Sequence, residues 1–176
     1  MAQPQIPIDV DPDTGIWRTD GLPMIYLPRH FLVNMQKAIE AAIGPAAYRD
    51  ILYASSDLSA LQWCRAEAKT HGLTPVGTFR HYLKRLSQRG WAQFRVRSVD
   101  SATGRGIVEV RHSVFVAEAG PASGRKVCYM FRGWFCGALE WVATESGRSL
   151  ALTAEEIQCA AEGGHDHCLF EIQPAS

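Results

Sequence analysis

The chain carries no net charge. Eighteen Lys and Arg balance eighteen Asp and Glu over 176 residues, which excludes the broad basic footprint of a general nucleic-acid binder and leaves at most a local patch. No uncharged apolar run approaches the roughly 20 residues that a membrane-spanning helix needs. The Pro- and Asp-rich stretch from Met1 to Asp13 has neither the basic start nor the apolar centre of a signal peptide. No Gly-x-Gly-x-x-Gly fingerprint follows a strand pattern, and no haem or iron–sulfur ligand pattern is present, so redox chemistry has no visible electron source. The five cysteines are an odd number without a closely spaced pair; a disulfide framework is not expected, and a reducing, cytoplasmic location is.

With 47% hydrophobic residues, a chain of this length buries one substantial core. The expected organisation is an extended arm at 1–15 followed by a single domain at 16–176. Ile16–Arg18 and Met24–Leu27 flank the turn dipeptide Asp20-Gly21 and predict a small hairpin. From Arg29 to Ile43, residues Phe31, Leu32, Met35, Ala38, Ile39 and Ala42 recur at helical spacing, and Gly44-Pro45 ends the run. A second helical segment runs from about Ala46 to Thr70, with a break expected at Ser55-Ser56-Asp57, and Gly72 ends it; His71 suits a helix C-terminus electrostatically. Thr74-Pro75 restarts a helix through Arg89, with Phe79, Tyr82, Leu83 and Leu86 inward and Arg80, Lys84, Arg85 and Arg89 on a solvated face.

After Gly90 the period changes to two. Ala92, Phe94 and Val96 alternate with Gln93, Arg95 and Arg97, and from Gly106 to Val116 the residues Val108, Val110, His112, Val114 and Val116 share one side. Two strands paired around Thr103-Gly104 are expected. His112 is then the one ionisable group on an aliphatic face, either a core histidine bonded to backbone or the polar anchor of a ligand pocket. Phe94, Trp134 and His81 are further candidates for that pocket, from the faces they should occupy. An aromatic helix is expected from Lys126 to about Glu145, in which Gly133 and Gly137 lie one turn apart. Two glycines on one helical face cost helix stability, and close approach of another backbone is the expected reason. Strands from Ser149 to Cys159 and from His167 to Ile172 complete an α+β class, an antiparallel sheet packed with helices.

The chemistry gathers at the C-terminal end: Cys128, then Glu156-Ile-Gln-Cys159, then Gly163-Gly164-His165-Asp166-His167 and Cys168. Three thiols and one carboxylate are a ligand set for a borderline-soft ion such as zinc. On a regular strand Glu156 and Cys159 do not share a face, so they converge only where the strand ends or bulges. The alternative is ordinary buried thiols beside a solvated carboxylate. Spacing alone does not decide between the two.

Cys128 followed by Gly133 and Gly137, then Glu156-x-x-Cys159 and a Gly-His-Asp-His turn to Cys168, resembles the 4-vinyl reductase domain family, with Arg111–Phe115 a weaker match. The similarity covers roughly residues 79–172. It implies the ligand-binding fold common to NO-signalling and Golgi-transport proteins, the fold of the sensors of phenol- and xylene-responsive transcription activators. It also implies Cys128, Glu156, Cys159 and Cys168 as ligands of a structural Zn2+, with Glu155, His165 and His167 as competitors for a position. The tryptophan and histidine that hold the phenol hydroxyl in those sensors have no secure counterparts here. The function implied is a zinc-stabilised module binding a hydrophobic small molecule, acting as a homodimer or through a signalling partner. A tetrapyrrole 4-vinyl reductase or its accessory, and a thiol and zinc redox switch, are the alternatives.

Overall fold

Asp20 and Gly21 both take positive φ, 53° and 78°, the backbone of a two-residue hairpin turn whose twist matches its strands. They join β2 (Trp17–Thr19) to β3 (Leu22–Met24), and β1 (Asp9–Val10) pairs with the free edge of β2. The computed structural model describes residues 6–120 and 123–175. Residues 1–5 of the expected arm lie outside these, and of the rest Asp9–Val10 form the edge strand of a three-stranded sheet.

Helix α1 (Arg29–Ile43) has the bounds its apolar spacing predicts, but not the orientation. Val33 and Gln36 are buried, whereas Phe31, Met35 and Ile43 are 52%, 39% and 48% exposed. The inward face is mixed: Leu32 packs on the core and Ile39 is half-buried as expected, but Gln36 and Glu40 turn in beside them, Glu40 accepting a hydrogen bond from the Tyr129 hydroxyl at 2.5 Å and pairing with Arg125 at 2.9 Å.

Helix α2 (Pro45–His71) runs without the break expected at Ser55-Ser56-Asp57. Ser55 donates back to the Ile51 carbonyl at 2.9 Å, keeping its hydroxyl on the helix. The polar triplet is where α5 (Phe131–Glu145) crosses. A Cβ on Gly133 would overlap the Tyr53 carbonyl and come within 2.8 Å of Ser56 Cβ, and one on Gly137 would come within 2.9 Å of Asp57 Cα. The glycine pair is the close backbone approach that its spacing predicts.

Pro75 opens α3 (Pro75–Gln88) behind Thr74, whose hydroxyl accepts from the Gly77 amide at 3.2 Å. Phe79, Tyr82, Leu83 and Leu86 are buried as expected, and Arg80 and Lys84 are exposed. Arg85 and Arg89 leave the solvated face assigned to them: Arg85 pairs with Asp20 at 2.9 Å, and Arg89 lies over the Trp63 ring at 5.4 Å.

The main sheet is antiparallel in the order β4-β5-β7-β6, with β4 Gln93–Asp100, β5 Arg105–Arg111, β6 Leu152–Gln158 and β7 Cys168–Pro174. Strand β5 ends at Arg111 rather than continuing to Val116, because His112 takes φ 54° and Ser113 caps a short helix α4 (Val114–Ala119) by accepting from the Phe115 amide at 3.2 Å. Val114 and Val116 are therefore not strand residues, and His112 is exposed rather than set in an aliphatic face. Helix α5 begins at Phe131, later than Lys126, and lies between α2 and the sheet, with Phe131 and Phe135 meeting Phe94 and Phe170 edge-on or tilted at 5.1–6.3 Å. Burial of each such ring stabilises the core by about 1.5–3 kcal/mol. Among the described residues no helix is long and apolar enough to cross a membrane.

Candidate metal centre

Four segments deliver four donors to one point. Glu156 projects inward from β6 beside Leu152 and Ala154, and a bulge between Glu156 and Gln158 turns the strand so that Cys159 comes to the same side. Cys159 opens a single 3₁₀ turn, Ala160–Glu162, and its amide donates to the Glu162 carboxylate at 2.9 Å. Gly163 and Gly164, at φ 88° and 79°, then make the return to Cys168 at the head of β7. Cys128 comes from the turn before α5, its carbonyl accepting from the Phe131 amide at 3.0 Å, and is not on the helix as expected.

All four donors are buried, and their ligand atoms lie within 4.8 Å of one another. The Cys168 sulfur is 3.8 Å from that of Cys159 and 4.0 Å from that of Cys128. Thiolates bound tetrahedrally at about 2.3 Å lie about 3.8 Å apart, so the spacing fits a zinc-sized ion. The Cys128 amide donates to one Glu156 oxygen at 3.1 Å, and the other, also buried, has no partner among the described residues. Such an orphaned carboxylate oxygen is costly unless something binds it. Ser113 Oγ at 3.0 Å from the Cys128 sulfur and the Ala160 amide at 3.3 Å from the Cys168 sulfur add a supporting shell.

Burial pushes the Cys128 thiol well above its usual pKa, and burial together with Cys159 pushes Glu156 up to about 9. Hydrogen bonds from Cys128 and Cys168 hold Cys159 far below the usual thiol range. Protons thus do for one thiolate what a divalent cation would do for all four groups, and binding such a cation would release them. Of the competitors, Glu155 and His165 are exposed, and His167 is half-buried and held 2.5 Å from Asp166.

A cavity of about 190 Å³ adjoins this cluster, lined by Val110, His112, Ser113, Val116, His167 and Cys168 among others. The other residues expected to share a pocket with His112 do not reach it. Phe94 lines a separate open groove between α3 and β4. Trp134 is buried, stacked on Phe131 at 5.4 Å and edge-on to Trp91 at 4.8 Å. His81 lies in a second polar cluster, with Nε2 3.0 Å from Glu67 Oε2. Sequence reasoning missed Ser113, whose signal was its cap position before Val114, and missed Glu67, which shares a helical face with His71 at the i, i+4 spacing.

The fold places the protein in a known structural class. Over 95% of this chain and 84% of the other, at 18% identity and a TM-score of 0.79, it is similar to the crystal structure of the phenol-responsive sensory domain of the transcription activator PoxR with phenol. It is also similar, over 84% of this chain and 95% of the other at 13% identity and a TM-score of 0.57, to a trafficking protein particle complex subunit 3 from Naegleria fowleri covalently bound to palmitic acid. No curated protein matches the chain in sequence. The family model described as "Domain of unknown function (DUF5943)" matches residues 2–97, more than half of the chain, and the protein belongs to that family.

Proposed function

We propose that the protein is a sensory module of the 4-vinyl reductase domain type that binds a small hydrophobic or aromatic molecule, with Cys128, Glu156, Cys159 and Cys168 holding a structural Zn2+. What supports this is a shared wall. Cys168 belongs to the four-donor cluster and also lines the adjoining cavity, as does Ser113, whose hydroxyl touches the Cys128 sulfur at 3.0 Å, so an ion there would fix one side of the ligand site. Four protein donors leave no open coordination position, which makes the ion a clamp rather than a catalyst. The PoxR sensory domain shares the fold and is described with phenol.

The cavity is smaller than the roughly 300–1,000 Å³ of drug-sized ligand sites, which favours a single ring over a tetrapyrrole. His112 and His167 would orient a polar substituent, and Val110 and Val116 would face the ring. Three buried thiols held reduced suit the cytoplasm. The signal would pass through a homodimer, whose interface would cover the exposed residues Phe31, Met35 and Ile43 of α1 together with Ile51 and Leu58 of α2.

Elemental analysis and native mass spectrometry of the untreated protein should show zinc, followed by a thermal-shift panel of phenols, benzoates and short aliphatics. A ligand that raises the melting temperature of the wild type but not of His112→Ala supports the site. Absence of zinc, or no response to any ligand of the panel, overturns it.

A further inference from the structure

A second cluster of ligand-type side chains lies far along the chain from the first: Asp20 in the hairpin turn, Glu67 and His71 one turn apart on α2, and His81 on α3. Glu67 Oε2 is 3.0 Å from His81 Nε2 and 3.2 Å from His71 Nε2, and His71 Nε2 is 3.5 Å from Asp20 Oδ1. Donors bound tetrahedrally at about 2.0–2.1 Å sit about 3.3 Å apart, so these separations, which also suit direct histidine–carboxylate hydrogen bonds, are compatible with atoms sharing one ion. The ligand atoms of all four residues lie within 4.8 Å of one another.

Burial points the same way. The Glu67 side chain is 0% exposed and the Asp20 side chain 2%, and each keeps one buried carboxylate oxygen, Glu67 Oε1 and Asp20 Oδ2, without a hydrogen-bond partner among the described residues. Two orphaned oxygens on buried carboxylates leave acceptor capacity that a bound cation would satisfy, in a region where Arg85 and Arg89 also keep buried donors without a partner among the described residues. Arg85 holds Asp20 Oδ1 at 2.9 Å, the kind of hydrogen bond that a ligating carboxylate carries, and the His81 ring is packed against Trp63 at 5.8 Å. Asp20 reaches the cluster only because the turn holds it at φ 53°, a conformation that Asp tolerates better than most residues.

We infer that Asp20, Glu67, His71 and His81 form a second metal site, selective for a zinc-type transition ion. The guanidinium of Arg85 already pairs with Asp20, so affinity rests more on the two imidazoles than on charge. That favours Zn2+, Co2+ or Ni2+ over Mg2+ or Ca2+. All four ligands fall within residues 2–97, the part matched by the family model, whereas the cysteine cluster falls outside it. An ion here would tie the N-terminal hairpin to the C-terminal end of α2 and to α3.

Cobalt titration tests the site independently of the cysteine cluster, because a nitrogen and oxygen site gives visible d–d bands without the near-ultraviolet thiolate charge transfer of a sulfur site. With the cysteine cluster kept zinc-loaded, the protein should bind one further equivalent of Co2+ with d–d bands alone; were the cysteines free to take Co2+, their thiolate charge transfer would mark that second equivalent separately. The equivalent with d–d bands alone should be lost in His71→Ala and His81→Ala, by more than the roughly 10–100-fold that losing a supporting partner costs. The His71 side chain is 32% exposed, so its truncation leaves the fold intact. Mg2+ and Ca2+ should not compete. Equal Co2+ binding by wild type and His71→Ala, or displacement by millimolar Mg2+, would overturn the assignment.

Discussion

Glu156 and Cys128 are 28 residues apart in sequence and meet inside the core, where the Cys128 amide donates to one Glu156 oxygen at 3.1 Å and the other stays buried without a partner among the described residues. One carboxylate thereby fastens the turn before α5 to β6 and serves as a donor of the cluster. Changes to the ligands should therefore be read in stability as well as in metal content.

Cys159→Ala should lose bound zinc and melt at a lower temperature together. Structural zinc contributes on the order of ten kcal/mol in small zinc-dependent peptides, and less is expected here, where a core of buried aromatics persists without it. Elemental analysis beside thermal unfolding checks both, and an unchanged melting temperature removes the structural role.

Gly133→Ala and Gly137→Ala should each destabilise by about 1–3 kcal/mol, the usual cost of overpacking. This runs against helix propensity, which favours Ala by about 1 kcal/mol. Urea unfolding distinguishes the two signs. A stabilised variant would mean that the α2–α5 crossing is looser than the contacts at Tyr53 and Asp57 require.

Glu109 sets a pH dependence. It is buried on β5, and its carboxylate is held below the usual range chiefly by the hydrogen bond from Arg111, with Arg97 adding to it. A depressed folded-state pKa contributes stability that is present above the unfolded value of about 4.3 and lost as pH falls through the folded one. Glu109→Gln should thus cost about 1–3 kcal/mol at neutral pH, and the gap to wild type should close in acid. A gap constant from pH 7 to pH 3 would show that the arginines do not hold the charged form.

Phe31→Glu with Met35→Lys should convert a dimer to a monomer without lowering the melting temperature of the monomer, because both side chains face solvent in the single chain. Light scattering after size exclusion gives the mass. A wild type that is monomeric at tens of micromolar would remove this interface.

Much of this architecture was legible in the residues. The Asp20-Gly21 turn, the bounds of α1, the Thr74-Pro75 restart and the Gly133 and Gly137 crossing follow from local chemistry that tertiary contacts did not override. The errors are of three kinds, and the first is that apolar period tells which residues lie on one side, not which way that side faces. Phe31 and Met35 belong to a regular stripe with Leu32 and Ile39, yet Glu40 found Tyr129 and Arg125 and rotated the helix so that only Leu32 and Ile39 of these four turn inward. Val108 to Val116 alternated cleanly, yet Ser113 offered a cap, and the strand stopped at Arg111. His81 and Glu67 gave no signal of each other, because the pairing of α2 with α3 is a matter of tertiary packing.

The crossing at Gly133 and Gly137 has a mechanical meaning. Helix α2 has 27 residues and so is about 40 Å long. It is gripped near its middle, at Tyr53 to Asp57, by a close backbone contact with α5. A rod held at that point has a fulcrum, so a tilt that lifts one end lowers the other. Glu67 and His71 sit on one arm and the exposed Ile51 on the other, so any such tilt would couple the polar cluster to the open apolar face.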